Sequence, residues 1–121
     1  MRQIKNFVSA VLTGFNNEER KKLLLAAYLN MAICNLKLNK PTPAVRNCDD
    51  ALELDANNTK AYFRRGQANL ALNLTEKAKV DFRKVMELDP TNAAVAPQLA
   101  RCDLKKEKQM YAKMFGEGKM S

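Results

Sequence analysis

Ala27-Tyr28-Leu29-Asn30-Met31-Ala32-Ile33-Cys34-Asn35-Leu36-Lys37-Leu38-Asn39 is answered 34 residues later by Ala61-Tyr62-Phe63-Arg64-Arg65-Gly66-Gln67-Ala68-Asn69-Leu70-Ala71-Leu72-Asn73. The echo continues through Ala44/Ala78 and through Glu53-Leu54-Asp55 against Glu87-Leu88-Asp89, so that 11 of 34 positions are identical between windows 25–58 and 59–92. Self-similarity at this period marks a two-helix unit that cannot bury its apolar face alone and is covered by its neighbours in a stack. The punctuation agrees. Pro41 and Pro43 interrupt the first window and suit the entry to its second helix, while Asn57-Asn58 and Asp89-Pro90-Thr91-Asn92 close the two windows. The pattern predicts helices near residues 3–13, 18–39, 43–54, 59–73, 76–88 and 92–115, antiparallel in succession, with a frayed tail over 116–121.

A chain of 121 residues has room for one domain and buries about two-thirds of its unfolded surface. With 46% apolar and 28% charged residues, and only four Gly and four Pro, it has the composition of a soluble helical protein. There is no histidine, and Cys34, Cys48 and Cys102 have no paired spacing. Zinc sites of the usual Cys/His kinds and Ser-His-Asp or Cys-His catalysis are thereby excluded, and no cofactor is expected. The three thiols are expected to be buried small hydrophobes, which favours a reducing compartment. No apolar run approaches the roughly 20 residues of a membrane span. The opening Met1-Arg2-Gln3-Ile4-Lys5 lacks the apolar core of a signal peptide. The expected location is therefore cytoplasmic, with the nucleus also open. A net charge of +8 suits an acidic partner: nucleic acid, anionic lipid or acidic peptide. Nucleic acid is disfavoured, because the cations are not interleaved with exposed aromatics and no reading motif is present; no membrane partner is expected.

The repeat resembles the tetratricopeptide repeat, which has an aromatic at its fourth position, small residues at its eighth, twentieth and twenty-seventh, and often proline at its thirty-second. Here these are Tyr28 and Tyr62, Ala32 and Gly66, Ala44 and Ala78, Ala51 and Val85, Ala56 and Pro90. Small residues let the two helices of a hairpin approach closely; Val85 and Ala56 are mild departures. Tyr28 and Tyr62 are packing residues of the repeat. The resemblance implies an all-α, right-handed solenoid with a long C-terminal capping helix. Its expected parts are a remnant of a first repeat over 1–24, repeats over 25–58 and 59–92, and the cap with its tail over 93–121.

In such a stack the first helix of each repeat lines a concave groove. Asn30 and Arg64 are equivalent by the 34-residue offset, and Lys60 precedes Arg64 by one helical turn. A guanidinium fork, an ammonium and an amide together form a site for a carboxylate. Asn30 with Lys60-Ala61-Tyr62-Phe63-Arg64 resembles the carboxylate-clamp subclass of tetratricopeptide domains, which grip the C-terminal Glu-Glu-Val-Asp of cytosolic heat-shock chaperones. More closely, Leu29 to Cys34, Phe63 to Ala68 and Lys108-Gln109-Met110-Tyr111-Ala112-Lys113-Met114-Phe115 resemble the large FK506-binding immunophilins, which are prolyl isomerases and co-chaperones of the ninety-kilodalton heat-shock protein. The resemblance implies a peptide-binding module, not an enzyme, with Asn30, Lys60 and Arg64 as the clamp. Ile33 and Lys37, continuing the Asn30 stripe, and Gln67, continuing the Arg64 stripe, are expected as secondary contacts. Arg65 is expected at the surface without a ligand.

Arg101, Lys105, Lys106, Lys108 and Lys113 give the terminal helix a basic face beside Leu104, Met110, Met114 and Phe115. Such a helix either caps the stack with a solvated basic side or offers a calmodulin target. The family's first helix, with two further clamp ligands, is missing from the sequence, as is its isomerase domain, so the chain reads as a truncated immunophilin. Arg2 and Asn6 are spaced like a clamp pair but lack a hairpin partner. An apolar face left by the missing helix, with Ile4, Phe7, Val8, Val11, Leu12 and part of 23–29, is expected to drive a homodimer. The alternative function is accordingly a self-associating scaffold whose shortened groove no longer holds the chaperone tail.

Overall fold

The computed structural model describes residues 14–116 together with Asn6. It contains α1 (Asn17–Lys37), α2 (Pro41–Leu54), α3 (Thr59–Ala71), α4 (Thr75–Leu88) and α5 (Val95–Tyr111), the last running into a π-helical turn, Ala112–Gly116. Among the described residues there is no strand. Each helix packs on the next, and α1 also touches α3 and α3 touches α5. The odd-numbered helices therefore form one layer and α2 and α4 the other, giving an all-α tetratricopeptide solenoid. The predicted helix 3–13 apart from Asn6, the apolar residues assigned to it and the tail beyond 116 lie outside the described residues.

Local chemistry sets the helix ends. Asn16 caps α1: its Oδ1 accepts from the Glu19 backbone N–H at 2.8 Å and its Nδ2 donates to Glu19 Oε1 at 2.6 Å. At the other end, Asn39 takes φ 58° and its repeat partner Asn73 takes φ 63°. Each follows the same pair of backbone bonds: Lys40 N–H to Asn35 O and Asn39 N–H to Leu36 O, then Leu74 N–H to Asn69 O and Asn73 N–H to Leu70 O. This is the Schellman stop, in which Asn tolerates the left-handed backbone that most side chains resist. It ends α1 and α3 two residues short of the predicted 39 and 73. The other hairpin partners differ slightly from expectation too. Both Pro41 and Pro43 sit inside the first turn of α2, where the missing N–H had no partner to lose. Asn92 Oδ1 accepts from the Ala94 N–H at 3.0 Å, a side-chain turn that delays α5 from residue 92 to Val95.

Asn35 and Asn69, identical across the repeat, tie each hairpin together. Asn35 Nδ2 donates to Asn47 Oδ1 at 2.7 Å, and Asn69 Nδ2 donates to Asp81 Oδ2 at 3.1 Å. The small residues of the repeat frame are the most deeply buried: Ala32, Ala44, Ala51 and Ala78 are fully enclosed. Of the thiols, Cys48 and Cys102 are buried as expected, and burial pushes the Cys48 thiol up to about 12. Cys34 is exposed, contrary to expectation. It lies on the outer stripe of α1, whereas its repeat partner Ala68 is enclosed between helices.

α3 and α4 approach closely at Gly66. A Cβ built on Gly66 would stand 2.6–2.9 Å from three ring carbons of Phe82. That ring is wholly buried and meets Phe63 edge-on at 5.6 Å, so it has no room to withdraw. Gly66→Ala should therefore destabilise the domain: overpacking costs about 1–3 kcal/mol, more than the roughly 0.5–1 kcal/mol gained in helix propensity. Urea titration checks this, and adding Phe82→Leu should cost less in the Gly66→Ala background than in the parent.

Candidate functional site

Lys60, Phe63, Arg64 and Gln67 recur along α3 with the spacing of one helical face. With Ile33 of α1 and Asn92 after α4, they wall a groove of about 400 Å³. The turn before α3 is fixed by Asn58, whose Oδ1 accepts from the Ala61 N–H at 2.9 Å while its Nδ2 donates to Asp55 Oδ2 at 3.1 Å. This cap places Lys60 in the first turn of α3, a turn that contains no acid. A cation there is locally unfavourable, because it stands at the positive end of the helix dipole. The same superposition of charge and dipole makes the spot attractive to an anion.

Arg64 donates from Nη1 to the Leu29 carbonyl of α1 at 2.8 Å. The bond holds the guanidinium at the seam between the two groove helices and leaves its other N–H groups available. Among the described residues no carboxylate lies within ion-pair distance of Lys60 or Arg64, and no Asp or Glu lines the groove. Of the six residues singled out from the sequence, Ile33, Lys60, Arg64 and Gln67 are brought together in this wall. Asn30 and Lys37 are not in it; they are exposed on α1, one turn to either side of Ile33. Phe63 and Asn92 were not singled out. The signal for Phe63 was its place three residues after Lys60 on the same stripe, whereas Asn92 is delivered by the loop and shows no periodicity.

Arg65 has a different role from the one expected of it. Its Nη2 bonds Asp81 Oδ1 at 2.7 Å, its Nε reaches both Asp81 oxygens at 3.1 Å, and its Nη1 bonds Asp49 at 2.8 Å. The guanidinium also lies 5.5 Å from the Tyr62 ring centre. The hydrogen bond with Asp81, foremost, raises the arginine's pKa further, against the opposing effect of burial. Arg65 is thus an internal brace between α3 and α4, on the opposite side from the groove. Among the described residues no group of three or more His, Cys, Asp or Glu side chains could hold a metal ion, and no helix is long and apolar enough to cross a membrane.

The family model described as tetratricopeptide repeat matches residues 59–92. The chain is a tetratricopeptide-repeat domain, a non-catalytic protein-interaction module. It matches the tetratricopeptide region of immunophilins of the FKBP4 and FK506-binding protein 59 type. Human peptidyl-prolyl cis-trans isomerase FKBP4 is 48% identical over 112 residues, covering 85% of this chain and 24% of that protein. FK506-binding protein 59 of Drosophila melanogaster is 45% identical over 109 residues, covering 85% and 25%. The chain thus spans about a quarter of the length of these curated relatives, and the quarter it matches is not their isomerase domain. Among solved structures, the first TPR domain of human RPAP3 aligns with a TM-score of 0.71 at 30% identity, covering 78% of this chain and 74% of that one. The C-terminal TPR-containing domain of a Plasmodium falciparum protein ascribed to the FK506-binding proteins aligns with a TM-score of 0.73 at 24% identity, covering 81% and 68%, a likeness that speaks for the fold alone.

The neighbouring arginines and Lys60 should separate cleanly in stability measurements. Arg65→Ala strands the buried Asp81 carboxylate and is expected to cost about 3 kcal/mol or more. Arg64→Ala loses one carbonyl bond, worth about 1 kcal/mol. Lys60→Glu should stabilise the fold by about 0.3–1 kcal/mol, since it puts an acid in the first turn of α3. Thermal and urea unfolding of the three variants checks that order.

Proposed function

We propose that this domain binds the acidic C-terminal tail of a heat-shock chaperone, of the ninety-kilodalton class, within a co-chaperone immunophilin. The observation that carries the reading is the groove in which Lys60 and Arg64 stand one turn apart with no carboxylate in the wall. A C-terminal peptide brings two negative groups within a few atoms, its last side chain and its terminal carboxylate. An arginine fork can take one bidentately while a lysine neutralises the other. Ile33 and Phe63 offer an apolar seat for a valine side chain between them, and Gln67 a donor and acceptor for the peptide backbone. Asn30 and Lys37 would contribute from the α1 rim. The resemblance to FKBP4 along most of the chain supports the same assignment. Free thiols throughout suit a reducing setting such as the cytoplasm.

Calorimetric titration with Met-Glu-Glu-Val-Asp tests the reading. Binding is expected for the free acid and should weaken by about tenfold or more when the C-terminus is amidated, the loss of one charge-assisted contact. Lys60→Ala and Arg64→Ala should each cause a comparable loss while far-ultraviolet circular dichroism stays that of the parent. Equal binding by parent and both variants would place the site elsewhere.

A further inference from the structure

Asn58 and Asn92 stand 34 residues apart, each three residues after an aspartate, Asp55 and Asp89. In the first of these turns the asparagine side chain is fully used. Asn58 Nδ2 donates to Asp55 Oδ2 at 3.1 Å while its Oδ1 caps α3 on the Ala61 N–H at 2.9 Å. In the second turn the same side chain is used only in part. Asn92 Oδ1 accepts from the Ala94 N–H at 3.0 Å, its backbone N–H donates to the Asp89 carbonyl at 3.1 Å, and its own carbonyl accepts from the Val95 N–H at 3.5 Å. The Asp89 carboxylate is engaged by Thr91, whose Oγ1 donates to its Oδ1 at 3.0 Å. In the earlier turn Asn57 holds the place of Thr91 and offers Asp55 only a backbone N–H, at 3.4 Å. No acceptor among the described residues meets the Asn92 Nδ2. Asn92 is thus fixed through its backbone and its Oδ1, has two N–H donors unspent, and forms part of the groove wall.

Its place in that wall follows from how the helices run. Lys105 and Gln109 of α5 reach the Leu70 and Asn73 carbonyls of the α3 end, 35 and 36 residues back. The two helices are therefore parallel and in register, and the turn before α5 stands beside the first turn of α3. Asn92 shares the Lys60 end of the groove, whereas Gln67 marks the other end. A lysine is a point charge that fixes no direction, and a carboxylate has about four lone-pair sites to fill. A neutral amide fills one of them without adding a third cation to a wall where Lys60 and Arg64, one turn apart, already repel.

We propose that Asn92 is a further peptide-binding residue of this groove. Resting on the function proposed above, its Nδ2 donates to the carboxylate that Lys60 neutralises and sets the orientation in which that carboxylate is held.

Calorimetric titration of the whole chain tests this with three ligands: Met-Glu-Glu-Val-Asp, its C-terminal amide, and Met-Glu-Glu-Val-Asn. Each of the last two lacks one of the two negative groups of the final residue. Asn92→Ser keeps a side-chain acceptor for the Ala94 N–H and is expected to weaken binding of the first ligand by about tenfold. Against whichever of the other two has lost the carboxylate at Lys60, the effect should fall to within about twofold, and Lys60→Ala should lose its effect on that same ligand. Asn92→Asp keeps the turn and puts an acceptor in place of the donors beside Lys60. It should weaken the first ligand more than Asn92→Ser does, with the circular dichroism of the parent. Parent-like affinity in both Asn92 variants overturns the proposal. So does a loss of equal size on all three ligands, the mark of a distorted groove, and so does a loss that vanishes on a different ligand from that of Lys60→Ala. In each of those cases the parent still binds the first ligand and the chaperone-tail reading stands. A parent that binds none of the ligands overturns both.

Discussion

The carboxylate of Asp81 fixes the rotation of α3, and with it everything the groove presents. It is nearly enclosed, and it accepts from Asn69 and from Arg65, two residues four apart on one side of α3. A helix held at two successive turns by one buried acceptor cannot roll. Arg64, next in sequence but about 100° away around the helix, is thereby turned away from α4 and along its own layer, where it meets the α1 carbonyl. Two adjacent arginines with identical chemistry consequently have opposite roles, one satisfied inside the fold and one facing the groove. The rotation is decided by the neighbour's partner and not by either arginine.

Much of this was legible because the repeat writes its structural residues twice. Asn39 and Asn73 recur since each hairpin needs a left-handed residue at the same place, and Asn35 and Asn69 recur since each ties the first helix to the second. The Arg65–Asp81 brace was invisible to that logic because it occurs once: the equivalent positions are Met31 and Asn47. Periodicity reports what two repeats share and is blind to what one of them does alone. Cys34 shows the complementary error. Its partner Ala68 is fully buried, two turns along α3 from Ala61, which packs in one cluster with Tyr28, Leu29 and Ala51, whereas Cys34 lies on the first of the described helices. Equivalent positions share an orientation but not a neighbour. The groove itself was readable as a stripe on α3; the contribution of Asn92 depended on how a loop folds back, which no spacing encodes.

The second hairpin is also the better satisfied one. Asn47 accepts from Asn35, but its own Nδ2 is buried with no hydrogen-bond partner, whereas Asp81 has only acceptor atoms and fills them. An unsatisfied buried donor costs about 1–3 kcal/mol, a cost that the α1–α2 hairpin carries at Asn47 and the α3–α4 hairpin does not at Asp81. Carboxylates pair with Arg65, Lys79 and Lys106 where the two layers meet, and none lines the groove wall.

The contact between Gly66 and the Phe82 ring has its counterpart, one repeat earlier, in the fully buried Ala32 and Cys48. One repeat fills the space between its helices with no side chain and a large ring, the other with a methyl and a thiol. The two solutions can be exchanged one residue at a time in one order only. A lineage moving from the first to the second must shorten the ring before the glycine gains its methyl, since the reverse order passes through a collision. Descent through such a hairpin is therefore directional, and the two positions should drift as a pair while the groove residues beside them change independently.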